Sequence, residues 1–400
     1  MFDFNKRFVS ELTQGRILEV RVAIIVSDVN IFDGVNRFSA DLITMLRKYG
    51  HEVALCSWSR PVEKTFKEFK SLEHSYVASP IFNKIKGRLI ASLLLSRSAI
   101  KKCLKDFRPD VFIGTGSEPA VFNYVPSDKK KVHYVHFPTE FFMDIRSSLL
   151  HLLYRVPYWH YHYQQLPRID AVVCNSKYTR EITSLIWGKV VREERLKVIH
   201  PAIDIKKFKG KQSKRKNQIC YIGRLSKGKG VKQAIEAFMQ IHSKYDLKMV
   251  IAGGPSQNLE LRLWWEKELK PYMETLIKKE VPIDLKLDPP DQTIIDTLLE
   301  SKAMVSYSQY EHFGIVPVEA QAAGCPPIVA NSGGQMETVQ HGKTGFRASS
   351  PDELSKYLQV LLENQKLWKK ISDNAIKNAE QYSFENVGKE WDNLLKQLTG

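Results

Sequence analysis

Two glutamates, Glu311 and Glu319, bracket a glycine in the run Glu311-His312-Phe313-Gly314-Ile315-Val316-Pro317-Val318-Glu319. The run follows an apolar, strand-like stretch, Ala303 to Tyr307, and leads into Ala320-Gln321-Ala322-Ala323-Gly324. This reads as strand, loop, helix, with Glu311 in the loop and Glu319 in the first turns of the helix. Pro317 near the helix start suits a place where its missing N–H has no partner to lose. A helix beginning at a glycine is an anion site, because its free N–H groups and its dipole both favour negative charge. Carboxylates beside such a site make sense if the ligand also carries hydroxyls. A phosphate with a sugar on each side of it meets that description.

A second candidate, Gly223-Arg224-Leu225-Ser226-Lys227-Gly228-Lys229-Gly230, follows the strand Gln218 to Ile222 and opens the helix Val231 to Ile241. It nearly spells a P-loop, but Gly230 stands where that loop needs Ser or Thr for its magnesium ion. Arg224 and Lys229 instead supply two cations over a helix start, enough to neutralise a diphosphate through charge-assisted hydrogen bonds. The chain contains no Asp-x-Asp pair to hold a divalent metal on that diphosphate, so no metal and no other cofactor is expected. Glycosidases also use two carboxylates, but such chemistry has no need of Arg224 and Lys229.

These elements imply their scaffold. Four hundred residues exceed one compact core and imply two domains, or three at most. Near-continuous apolar runs (Val22 to Val26, His51 to Cys56, Val111 to Gly114, Lys131 to Val135, Ala171 to Cys174, Leu196 to Ile199) alternate with helix-like segments. That pattern marks a parallel sheet covered on both faces. A polar stretch, 206–217, reads as a linker. The alternation then restarts at Gln218 and continues through Lys248 to Ala252, Ile283 to Leu287, Ala303 to Tyr307 and Pro327 to Ala330. The expected fold is α/β: two Rossmann-like, doubly wound domains, 1–205 and 218–380, with a C-terminal helix in 381–400 packing back on the first. Ligand would lie at the strand C-termini facing the cleft.

The five cysteines are odd in number and widely spaced, which suits reduced packing residues in a cytoplasmic protein better than a disulfide frame or zinc site. Residues 1–20 mix charges with no apolar segment, unlike a secretory signal. Net charge is +16, and residues 1–200 hold +11 of it, from 31 basic against 20 acidic residues. An excess in that half points to a polyanionic partner. Between Phe82 and Phe107, Lys84, Arg88, Lys101 and Lys105 stand at helical spacing beside an apolar stripe of Ile81, Ile85, Leu89, Leu93, Ile100, Leu104 and Phe107. Such a surface could lie on anionic lipid, or its stripe could pack on the first domain's sheet with the lysines facing water. A nucleic-acid binder would account for the charge but leaves the ordered cation and glutamate motifs unexplained.

Taken together, the motifs resemble the retaining, nucleotide-sugar-dependent glycosyltransferases of family 4, which have the GT-B fold. Glu311 to Glu319 is similar to that family's Glu-x7-Glu signature, and Gly223-Arg224-Leu225 with Lys229-Gly230 to its Gly-Arg-Leu-x3-Lys-Gly element. Val173-Cys174-Asn175-Ser176, Ile199-His200-Pro201, Ala252-Gly253-Gly254-Pro255, Ser332-Gly333-Gly334 with Glu337, and Gly342-Lys343-Thr344-Gly345-Phe346 follow in the family's order. The resemblance implies that Arg224, Lys229, Gly34 and the backbone of Phe313, Gly314, Ile315 and Val316 hold the donor diphosphate. It implies that Glu319 binds the ribose, Glu311 contacts the transferred sugar, and His136 stands by the reacting sugar from the acceptor domain. The family usually has Gly-Gly in the first loop; Asp33 replaces the first here and is expected to point away from the diphosphate or towards the acceptor. The stretches Glu311 to Gly334 and His136-Phe137-Pro138 are similar to α-mannosyltransferases that build lipid-linked oligosaccharides on the cytosolic membrane face. The implied partners are a nucleotide-diphosphate sugar (GDP-mannose or a UDP-hexose), a lipid-linked or glycan acceptor and an anionic membrane surface, with no nucleic acid. A UDP-glucose or UDP-N-acetylglucosamine enzyme of the same fold, acting on a soluble acceptor, is the alternative.

Overall fold

The computed structural model describes residues 19–31, 33–78, 88–116, 119–138, 159–209, 214–255 and 259–400. The chain divides into two compact units. The first comprises residues 1–173, 184–197 and 388–400, the second 174–183 and 198–387.

The first unit holds a seven-stranded sheet of β1 (Arg21–Val26), β2 (Glu52–Ser57), β3 (His74–Val77), β4 (Val111–Gly114), β5 (Lys130–Val135), β6 (Ala171–Cys174) and β7 (Leu196–Val198), in the order β3-β2-β1-β4-β5-β6-β7. β1 pairs in parallel with both β2 and β4. Its residues Val22, Ala23 and Ile24 are fully buried, as expected of a strand covered on both faces. The helix Gly34–Lys48 follows β1. Asp33 caps it, its Oδ1 accepting from the Asn36 N–H at 2.9 Å. The helix ends where Gly50 takes φ +84° and the His51 N–H returns to the Leu46 carbonyl, a glycine-closed C-terminus.

The second unit holds β8 (Gln218–Ile222), β9 (Lys248–Gly253), β10 (Ile283–Leu287), β11 (Met304–Ser306), β12 (Pro327–Ala330) and β13 (Phe346–Ala348), in the order β10-β9-β8-β11-β12-β13. All five pairings are parallel. Residues of β8 alternate between two cores. Ile219 and Tyr221 pack with Phe238, Leu354 and Leu358, whereas Cys220 and Ile222 pack with Leu298, Ala320 and Cys325. Each unit is thus doubly wound, with its strand order reversing at one point: between β1 and β4, and between β8 and β11.

Two sequence expectations change. Arg215, read within a linker, is a staple: its guanidinium donates to the Leu298, Ser301 and Ala323 carbonyls at 2.6, 2.9 and 2.5 Å and lies over the Trp368 ring. The stretch looks like a linker because it has few apolar residues; its hold is made with backbone carbonyls. The second is the membrane stripe. In the helix Arg88–Asp106, Ile100 is fully buried, and Phe107 just beyond it is 3% exposed. That half of the apolar side therefore packs into the core and is not free for lipid, while Lys101 and Lys105 remain exposed. Lys84, Ile81 and Ile85 lie outside the described residues, as do the side chains of Arg88, Leu89 and Leu93. Asp33 turns its carboxylate back on its own helix. Among the described residues no helix is long and apolar enough to cross a membrane.

The helix Phe384–Thr399 carries Trp391 and Leu395 fully buried. From residue 388 on it belongs to the first unit, where Trp391 meets the Tyr134 ring at 5.9 Å and Asp392 meets His51 at 3.1 Å and Lys396 at 2.8 Å. Gly388 permits this approach, since a Cβ there would stand 2.7 Å from the Tyr49 ring. All five cysteines are free and buried.

Replacing Arg215 by Met leaves three carbonyls without their charged donor and should cost about 2–4 kcal/mol, the scale for breaking a partly buried charged network. Lys214→Met, at an exposed neighbour, should stay within about 0.5 kcal/mol. Chemical denaturation midpoints of the two variants check the difference.

Candidate functional site

The reversal between β8 and β11 in the second unit opens a crevice at the carboxyl ends of these strands. Both charged motifs sit on the loops that leave them. After β8 the chain turns at Gly223, and the Leu225 N–H donates to the Gly254 carbonyl at 2.9 Å. It then forms a short 3-10 turn, Lys227–Lys229, and enters the helix Val231–Met239 through Gly230. Gly230 has φ +66°, and a Cβ there would meet the Tyr307 carbonyl at 2.2 Å, so only glycine lets this loop lie on the end of β11. From beneath, the buried Tyr221 hydroxyl bonds the Arg224 and Lys229 carbonyls at 3.0 and 3.4 Å. Burial pushes this phenol far above its ordinary range, and the nearby Glu311 adds to the effect. Arg224 is exposed and Lys229 half-buried.

After β11, Glu311 meets the first loop. The Lys229 ammonium donates to Glu311 Oε2 at 2.7 Å, with the two side chains 32% and 24% exposed. The cation expected to hold a diphosphate and the carboxylate expected to hold a sugar are therefore in direct contact. Gly314, at φ +92°, starts the helix Ile315–Ala322, and no side chain caps it. The N–H groups of Ile315 and Val316 have no partner within the helix; Val318 returns to the Gly314 carbonyl. Glu319 is half-buried one turn on, on the same side as Ile315. Phe313 is buried against the His200 and Tyr382 rings at 5.5 and 5.4 Å; its side chain builds the core and its backbone forms the turn.

A second layer fixes the Glu311 loop by its backbone. The Gly334 N–H donates to the Glu311 carbonyl at 2.7 Å. A Cβ on Gly333 would stand 2.3 Å from that carbonyl, and one on Gly334 2.0 Å from the His312 carbonyl. The Gln335 side-chain amide donates to the Ser308 and Ala330 carbonyls at 2.8 and 2.9 Å, tying together the ends of β11 and β12. Ser176 Oγ donates to the His312 carbonyl at 2.5 Å. Glu337 accepts from the Lys177 N–H at 2.9 Å and meets His200 Nε2 at 3.2 Å. Sequence reading named Glu337, His200 and Ser176 only as motif members. It gave no role to Tyr221, Gln335 or His312, whose signal, buried or half-buried polar groups beside a turn, appears only once the chain is folded.

The remaining candidates lie in the first unit. His136 follows β5, half-buried and edge-on to the Phe38 and Tyr134 rings at 5.3 and 5.0 Å. Gly34 is exposed, and a Cβ on it would meet nothing within 4 Å; the helix it opens is already capped by Asp33.

Two family models match the chain in succession: Glycosyltransferase Family 4 over residues 32–207 and Glycosyl transferases group 1 over residues 202–378. The chain belongs to the family 4 glycosyltransferases. Among its relatives is an alpha-1,3/1,6-mannosyltransferase of Neurospora crassa, 26% identical over 64% of this chain; that match spans 58% of the relative's own length. The alpha-1,3/1,6-mannosyltransferases of Kluyveromyces lactis and Dictyostelium discoideum are 25% and 24% identical, over 97% and 95% of this chain and 86% and 99% of their own. Among solved structures, Anabaena HepE, crystallised with UDP and glucose, superposes with a TM-score of 0.71 at 19% identity, covering 94% of this chain and all of HepE. At that identity the likeness establishes the GT-B fold.

His312 gives this site a pH signature. Burial holds its imidazole down to about 4, against the pull of Glu311. An unfolded histidine takes its proton near pH 6.5, so the folded form loses stability as pH falls from about 6.5 to about 4, and this group contributes no further loss below that. His312→Asn should therefore keep a larger share of its pH 7 stability at pH 4.5 than the unaltered chain, measured as the drop in melting temperature. Equal drops in the two proteins would exclude the assignment.

Proposed function

We propose that this glycosyltransferase moves a mannosyl residue from GDP-mannose to a lipid-linked glycan, with retention at the anomeric carbon. The observation that carries the reading is the Lys229–Glu311 contact beside the uncapped Gly314 helix start. One point of the fold thereby offers a cation, unpaired N–H groups and a carboxylate, matching a diphosphate joined to a sugar. The mannosyltransferase relatives support the choice of sugar and acceptor.

In this reading the diphosphate draws the charge of Lys229 and Arg224 and lies against the N–H groups of Ile315 and Val316, while Glu319 holds the ribose. Freed from part of the Lys229 charge, Glu311 accepts hydrogen bonds from sugar hydroxyls. As the bond from the anomeric carbon to the phosphate oxygen breaks, negative charge grows on the leaving diphosphate. The same cations and N–H groups stabilise that charge, which is the largest catalytic term in such sites. The acceptor oxygen bonds to the anomeric carbon from the face the phosphate leaves, and its proton passes to the departing phosphate oxygen. His136 is assigned to the acceptor side of this reaction, and Gly34 to the diphosphate by its backbone. The cations take the part a metal plays elsewhere. Exposed Lys101 and Lys105 support a peripheral seat on anionic lipid at the cytosolic membrane face.

Three measurements test the reading. Glu311→Gln should abolish transfer with GDP affinity within about threefold of the unaltered chain by calorimetry, whereas Glu319→Ala should lose GDP affinity itself. Activity should persist in EDTA, and Lys229→Ala or Arg224→Ala should each cost about 2–4 kcal/mol in kcat/KM; strict dependence on magnesium or manganese would refute this. In a donor screen, turnover of UDP-glucose or UDP-N-acetylglucosamine with GDP-mannose inert would replace the mannosyl assignment.

A further inference from the structure

The charged half of the site accounts for a nucleotide diphosphate but leaves one feature without a task. Tyr310, immediately before Glu311, is 59% exposed, more than any other aromatic among the described residues with large exposed apolar side chains. Two further exposed apolar side chains stand around the same loop: Ile315 at 36% and Met336 at 45%. The chain from Ser332 to Gln335 runs alongside 309–314. Ser332 Oγ donates to the Gln309 carbonyl at 3.0 Å, the Gly334 N–H donates to the Glu311 carbonyl, and a Cβ on Gly314 would sit 3.3 Å from Gln335 Cβ. Met336, next to Gln335, is thereby brought to the loop that carries Tyr310. A fourth side chain comes from the segment 174–183. Ser176 is bonded to the His312 carbonyl and Lys177 to Glu337, which brings Tyr178, half-buried, to the same loop. Burial and the nearby Tyr310 hydroxyl both lift the Tyr178 phenol above its ordinary range.

Exposed apolar side chains grouped around one loop mark a place where something docks. The carboxylate narrows what that is. A nucleobase also stacks on aromatic rings, but the ribose end is assigned to Glu319, one helical turn away, and Glu311 is the sugar-handling end. A pyranose presents an apolar face of C–H groups about the size of a tyrosine ring, edged by hydroxyls that a phenol can bond, and it carries no charge to oppose Glu311. A tyrosine offers an apolar body with a polar tip. We infer that Tyr310, with Ile315, Met336 and Tyr178 around it, forms a shelf that receives the terminal pyranose of the acceptor glycan beside Glu311. The inference rests on the glycosyl-transfer reading and adds the place and the means by which the acceptor is held.

Two experiments separate this inference from the reading beneath it. The first needs no turnover: saturation-transfer NMR with free α-mannobiose, a neutral glycan without lipid or nucleotide. The unaltered chain and Tyr310→Phe should both show transfer to the mannobiose C–H protons, and Tyr310→Ala should lose it. Melting temperatures within about 1 °C of the unaltered chain confirm that these surface changes leave the fold intact, as expected of exposed positions. The second is kinetic. Tyr310→Ala should raise acceptor KM at least about tenfold, equivalent to about 1.4 kcal/mol, while donor KM and GDP affinity stay within twofold; Tyr310→Phe should stay within threefold throughout. Equal mannobiose signals in the unaltered chain and Tyr310→Ala would overturn the shelf. So would a matching loss of GDP affinity, which would make Tyr310 a base-stacking residue. A chain that binds mannobiose through Tyr310 but neither binds GDP nor cleaves GDP-mannose would instead overturn the transfer reading and leave the shelf standing.

Discussion

The contact between Lys229 and Glu311 depends on a topological fact: β8 and β11 are neighbours in the sheet although 81 residues separate Ile222 from Met304. Only where a doubly wound sheet reverses direction do two consecutive strand ends open onto a crevice, their following helices lying on opposite faces. A cation brought in by one loop and a carboxylate by the other meet there and hold each other in place. The pair also sets the chemical problem a ligand must solve: whatever enters has to satisfy both charges, since separating them in a partly buried setting leaves each under-solvated. A molecule with negative phosphate at one end and hydroxyls at the other does this; a simple anion or a simple sugar does half.

The supports of that pair are mostly backbone. Glycines at 230, 333 and 334 let one main chain lie directly on another, and the Gln335 amide and Ser176 hydroxyl bond carbonyls rather than side chains. Such contacts leave little room for adjustment, because main-chain atoms cannot change rotamer. They explain how loops, usually the mobile part of a fold, hold two long side chains at a fixed separation. The corresponding loop of the first unit differs. There Asp33 turns its carboxylate onto its own helix start, whereas the Gly314 helix start has no side-chain cap, so the two units, alike in sheet order, differ at these loops.

The strands were legible because a parallel strand buried on both faces must be apolar at nearly every position. Val22 to Val26 and Ala171 to Cys174 show this directly. The two that escaped notice, β3 and β13, are a half-buried edge strand and a three-residue strand, too short or too mixed to show a pattern. The paired motifs of the site were readable because glutamates and cations beside glycines are uncommon unless chemistry needs them. Roles that depend on what folding brings near were not readable. Arg215 looked like solvent-facing charge, Asp33 like an intrusion into a phosphate loop, and the Ile100 to Phe107 stripe like a surface, because helical spacing shows that one side is apolar but not what covers it.

The placement of residues 388–400 has a consequence for how the molecule is made. Trp391 and Leu395 complete the core of the first unit, and Asp392 meets His51 there, yet the ribosome makes residues 198–387 of the second unit before it reaches them. At synthesis rates of roughly 5–20 residues per second, the nascent first unit waits on the order of ten to forty seconds with Phe38 and Tyr134 uncovered on the side Trp391 will fill. The second unit, nearly continuous in sequence, can close during that interval. The first unit therefore completes its core only after the second has been synthesised, and the aromatic face left open in the earlier-made half is where a holding chaperone would act.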